Sequence, residues 1–227
     1  MLYQLSYRPY RSSVPLLEMA DDFHKPTQYS GDKFDEFEGG EDPAQILRLA
    51  HDTAHALVDR ARASTDPAVV ERLVAYTDTH GLDAVAELWA RSSARSLPGA
   101  LWRIYLVRVL IRQDAAGTSF LFQRGTEVLA TIDVAVAGAP MPMGPEEITE
   151  LADQILRGLF HGDFGVALDR AAAFCRIVAS GCSSAADDAD AEHPERATEL
   201  TTRAARLTLT GEELTAAARL HRAGRLE

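Results

Sequence analysis

A chain of 227 residues with 46% hydrophobic and only 7% aromatic residues can bury a substantial core, built mainly from alanine, leucine and valine. That composition favours close-packed helices over a β-sandwich and excludes a disordered chain. A net charge of −11 repels a phosphate backbone, so direct nucleic-acid binding is not expected, while basic proteins and cationic ligands stay compatible.

Residues 1–41 read as an extended arm. Pro9, Pro15, Pro26, Gly31, Gly39 and Gly40 punctuate them, and GDKFDEFEGGED forms an acidic turn. In YRPYRSSVP, Tyr7, Arg8, Tyr10 and Arg11 alternate about a proline. Tyrosine and arginine serve as anchors at binding interfaces, and the same residues would also staple the arm to a helical body. The first fifteen residues contain no apolar run of signal-peptide length, and no later stretch reaches the roughly 18 apolar residues of a membrane span. Cys175 and Cys182 are too few for a disulfide framework and read as free thiols. A cytoplasmic protein away from membranes is the expectation.

Helix signals begin at Asp42-Pro43, an N-cap followed by proline at the first helical position, and AQILRLAHDTAHALVDRARA continues without a breaker. Asp66-Pro67 repeats the start signal, and LDAVAELWARSSA follows Gly81 as a third helix. Ser96-Leu97-Pro98 opens a fourth, whose apolar residues run nearly all the way round, as in a central helix. TSFLFQRGTEVLATIDVAVAG reads as two short helices broken at Gly125, with a hairpin turning at Arg124-Gly125 as the alternative. Pro145 starts the next helix, and Asp163 can cap FGVALDRAAAFCRIVAS. Residues 183–194 read as an acidic linker. Beyond it a helix spans about 195–207, and Thr210 with Glu213 makes a capping box for another. The fold class is therefore all-α: a multi-helix bundle over residues 42–182, with the N-terminal arm and a C-terminal helical hairpin over 195–227.

Three groups of side chains invite chemistry. In the first helix, His51, His55 and Asp59 fall four residues apart and stack in one row, as ligands of a divalent metal would. Ile46, Leu47, Ala50, Ala54, Leu57, Val58 and Ala61 fill the apolar sector. His51 lies just beyond its edge, with His55 and Asp59 further toward solvent, flanked by Arg48 and Arg62. His80 or His161 would have to supply a third imidazole. A polar contact between helices competes with the metal reading, because cations beside a site oppose a metal. In the fourth helix Arg103, Arg108 and Arg112 interrupt the apolar run, with Tyr105 beside the last two. They either pair with acids of neighbouring helices or bind the carboxylate or phosphate of a ligand or partner. Around Asp163, the carboxylate itself fills the helix N-terminus, Cys175 sits among apolar residues, and Ser183 and Ser184 have no base nearby.

The paired histidines on a helix resemble the DinB-like and mycothiol-dependent isomerase-like metal-binding bundles. That resemblance implies His51 and His55 as two metal ligands, with a third from a separate helix. More broadly, YRPYRSS, LPGALWRIYLVR and HGDFGVALDRAAAFCR resemble a family of all-helical proteins of high-GC bacteria without an assigned activity, which implies fold and not chemistry. No phosphate loop, dinucleotide fingerprint or nucleophile–base motif occurs. The preferred reading is a non-enzymatic interaction or adaptor protein with a protein partner and no cofactor. A metal-dependent bundle enzyme and a transcription-associated regulator acting through a protein partner are the rivals.

Overall fold

Asp42 starts the first helix as its sequence requires. Its Oδ1 accepts the Ala44 N–H at 2.9 Å, Pro43 takes the first helical position, and α1 runs over Pro43–Ala63. This computed structural model describes residues 42–64, 66, 68, 72, 88–129, 131–139 and 143–227; Tyr7, Arg8, Tyr10, Arg11, the N-terminal arm and His80 lie outside the described residues. Residues 88–90 are helical and a turn follows at once, so this helix stops short of the Ala94 that the sequence suggests. Trp89 is buried there, and its indole N–H donates to Thr53 Oγ1 of α1 at 3.1 Å.

Ser96 caps α2 (Leu97–Gln113) by accepting the Gly99 N–H, and Asp114 both ends α2 and caps α3 (Ala115–Val128) through the Gly117 N–H at 2.8 Å. The single residue Asp114 thus separates the two helices, with extended φ rather than helical backbone. The short α4 (Asp133–Ala137) ends at Gly138, whose φ of 70° is left-handed and favours glycine. Next come α5 (Pro145–His161), α6 (Phe164–Ala189) and α7 (Pro194–Arg222). No strand occurs among the described residues. The protein is an all-α bundle, and residues 41–227 form one compact unit.

Several element readings need correction. The break expected at Gly125 does not occur: α3 passes through it and ends after Val128. The helix expected to be central, α2, is buried or half-buried along most of its length and packs against five helices, but it leaves Leu106 42% exposed; α6 makes the more extensive contacts, with α7, α3, α4 and α5. Residues 183–189, read as linker, belong to α6, and the two helices expected after 195 are one helix of 29 residues. A C-terminal helical hairpin is present, but its arms are α6 and α7 and its turn is at 190–193.

The core is apolar and close-packed. Phe122 of α3 stacks on Phe174 of α6 with ring centroids 5.7 Å apart, and Ile148, Leu151, Ile155 and Leu159 of α5 are fully buried. Where α3 crosses α6, a Cβ on Gly181 would stand 1.8 Å from the Leu121 carbonyl oxygen, and one on Gly125 1.9 Å from that of Ile177. Only paired glycines allow backbones this close. The chain's last residues turn back, and the Leu97 N–H at the start of α2 donates to the Glu227 backbone oxygen at 2.7 Å.

Candidate functional site: the groove between α2 and α7

The helices α2 and α7 lie antiparallel, joined at one end by an ion pair between Arg103 and Glu213; beyond the other end of α2, the Arg203 Nη2–H of α7 donates to Thr118 Oγ1 of α3 at 3.1 Å. Between these ties they leave an open groove of about 750 Å³. Leu106, Val109 and Leu110 of α2 and Leu207 of α7 make its apolar surface, with Arg203 and Arg206 along the α7 side. A smaller recess of about 310 Å³ continues round the α2–α3 corner, past Asp114 and the exposed ring of Phe120, and Arg203 lines both.

The arginines singled out in α2 separate onto two faces. Arg108 is 2% exposed, and its Nε–H donates to Asp153 Oδ1 of α5 at 2.8 Å, while Arg112 Nη1 stands 3.6 Å from the other oxygen of the same carboxylate. Asp153 thus occupies the position that a ligand's carboxylate would take. Arg103 points the other way, to Glu213 and the Gly99 carbonyl. Tyr105 packs on Trp102, with ring centroids 5.7 Å apart.

On α1, His51 is half-buried while His55 and Asp59 are exposed, so the row leaves the core edge as the helical placement suggests. No group of three or more His, Cys, Asp or Glu side chains able to hold a metal converges among the described residues. Arg62 turns to α5, donating from Nη2 to the carbonyls of Leu159 at 3.1 Å and Gly162 at 3.3 Å, with its guanidinium over the Phe164 ring. It therefore caps the carbonyl end of α5.

Beside that cap, Asp163 accepts the Val166 N–H at 3.1 Å, which holds its carboxyl below the usual range and fills the N-terminus of α6. His221 of α7 leans on Phe164, and burial together with the Arg62 charge lowers its pKa. Burial pushes the Cys175 thiol up to about 12, too high for a nucleophile. Cys182 is also raised, mainly by burial. Ser184 is engaged by the Arg124 Nε–H at 3.0 Å.

Sequence reasoning missed Arg203, Arg206 and Thr118. They lie on α7 and at the start of α3, some eighty residues apart, and only the return of α7 along α2 brings them together. No family model, curated protein or solved structure matches the chain.

Proposed function

We propose that this chain is a non-enzymatic protein–protein interaction or adaptor protein that docks a helical segment of a partner in the groove between α2 and α7. The supporting observation is the apolar lining of Leu106, Val109, Leu110 and Leu207 in an open groove between two helices, with Leu106 42% exposed. Both walls are helices whose backbone groups are already bonded internally. A partner strand would find no sheet edge there, and its own N–H and C=O groups would face leucine. A helix brings its backbone bonds with it. From Arg103 to Gln113 the groove runs roughly 15 Å at the helical rise, the length of about ten residues of a docked helix. A contact of that size buries less than the roughly 1,200 Å² typical of stable complexes, which suits reversible association. The protein works in the cytoplasm, where its two unpaired, buried thiols are at home.

The test is capture from native lysate with the full chain, compared with Leu106→Asp in the groove and Leu49→Asp, which is 55% exposed on α1, as a surface control. The expected result is a stoichiometric partner held by the wild type and Leu49→Asp and lost by Leu106→Asp. Equal capture by all three, or none by the wild type, overturns the docking function.

A further inference from the structure

We propose that the partner's helix is acidic and that Arg203 fixes it by binding one of its carboxylates at the α2–α3 corner. This rests on the docking function above and adds a charge and an orientation to it.

The arginines of this fold follow a pattern that Arg203 leaves. Among the described residues, the half-buried Arg103, Arg124, Arg157 and Arg176 each meet a carboxylate, from Glu213, Asp188, Glu150 and Asp133 respectively. The buried Arg108 meets Asp153. Arg170 and Arg203 are half-buried and meet none among the described residues, but their settings differ. Arg170 lies against Gly138, where a Cβ would come within 2.2 Å of its Nη2, and lines neither recess. Arg203 lines both.

Among the described residues Arg203 makes one hydrogen bond, to the hydroxyl of the fully buried Thr118, and its buried Nε has no acceptor there. Its Nη1 meets no acceptor among them either. A guanidinium presents five N–H donors in a rigid fork, and leaving them unmet beside an apolar surface is costly. The Thr118 bond and the surrounding helices hold this fork before any partner arrives, so binding loses little further side-chain freedom. Arg206 follows three residues on along the same side, exposed and without an ion pair among the described residues. The groove's own acid, Glu199, is engaged by Arg196 at 3.3 Å.

The groove is therefore asymmetric. Its middle is leucine and valine, its Arg103 end is neutralised by Glu213, and its Arg203 end keeps an unmatched positive charge. A helix with leucine-type residues on one face and a glutamate or aspartate at one end fits in a single direction. The chain's charge of −11 repels an acidic partner at long range. That repulsion is screened beyond about 8 Å at physiological salt, whereas a carboxylate in contact with Arg203 is not.

The test uses the full chain and two stapled amphipathic peptides of about 14 residues, a little longer than the groove by helical rise. They share one leucine face and differ only in glutamate or lysine beside it. Fluorescence anisotropy is expected to show the glutamate peptide binding at least tenfold tighter than the lysine peptide. Arg203→Gln is expected to cost the glutamate peptide about tenfold, the scale of one charge-assisted hydrogen bond, and to leave the lysine peptide unchanged. Arg203→Lys keeps the charge without the fork and is expected to recover part of the loss. It decides the matter if Arg203→Gln does not fold. Equal binding of both peptides, abolished by Leu106→Asp, overturns the role of Arg203 and leaves the docking function standing. Binding of neither peptide, or binding indifferent to Leu106→Asp, overturns both.

Discussion

Gly181 shows how much one missing side chain can decide. At most positions of a helix glycine costs stability relative to alanine, by roughly 1 kcal/mol. Here the sign reverses, because the Leu121 carbonyl oxygen stands 1.8 Å from where the Cβ would be. Backbone cannot step aside as a flexible side chain can, so α3 and α6 would have to separate along their whole contact, including the stacked Phe122 and Phe174. Gly181→Ala is expected to destabilise by about 3 kcal/mol or more. For a chain of this size that lowers Tm by roughly 6–12 °C. Gly125→Ala strains the same crossing from the other side, so the double variant is expected to fall well short of the sum of the two. Thermal unfolding followed by circular dichroism measures all three. An unchanged Tm in Gly181→Ala would mean that the helices do not approach this closely.

The element most misread from sequence is α7, and the reasons are local and specific. LTLTGEEL joins two threonines, a glycine and a capping-box pattern, all of which argue for a helix end. In the fold the Thr210 hydroxyl bonds back to the Arg206 carbonyl at 2.9 Å, and Glu213 is drawn to Arg103. Gly211 is buried against α6, with a Cβ there 3.2 Å from the Ala172 carbonyl oxygen. Packing along α6 thus overrides propensity over one turn. Thr210 is half-buried but caps nothing, so Thr210→Ala is expected to change stability by about 0.5 kcal/mol or less. Ser96→Ala, which removes a real cap, is expected to cost about 1 kcal/mol. Urea titration of both separates the cases, and a loss at Thr210 equal to that at Ser96 would restore the break. The linker expectation fails for a related reason. SSAADDA looks polar and loose, yet Arg124 of α3 reaches Ser184 and Asp188 and gives that turn of α6 its partners. Starts of helices were legible, because caps at Asp42, Ser96 and Asp163 use side chains within three residues of the bond. Ends and contacts were not, since they depend on residues far along the chain.

At the scale of the molecule, the candidate site was illegible for the same cause. The apolar wheel of α2 is consistent with a helix buried all round, and nothing in it says that Leu106 and Leu110 will face a gap between helices. Charge is the one whole-molecule property that the sequence states outright, and it sets up an opposition as pH falls. The net charge of −11 shrinks toward the isoelectric point near 5.1, which relieves self-repulsion and favours the compact state. His221 works against this. Burial and the nearby Arg62 and Arg222 charges hold its pKa below 6.5 in the fold, and Asp163 only partly restores it. An unfolded chain then takes up a proton near pH 6.5 that the folded chain does not. The stability His221 contributes is full above that pH and is lost as pH falls from 6.5 toward the folded value. His221→Gln removes the titration as well as the ring contact with Phe164, whose centroid lies 5.0 Å away. Its Tm is expected to lie below that of the wild type at pH 8, with the gap narrowing as pH falls below 6.5. A gap that stays constant or widens would show that protonation of His221 does not oppose the fold, and that the contact of α7 with the α5–α6 corner is indifferent to acid.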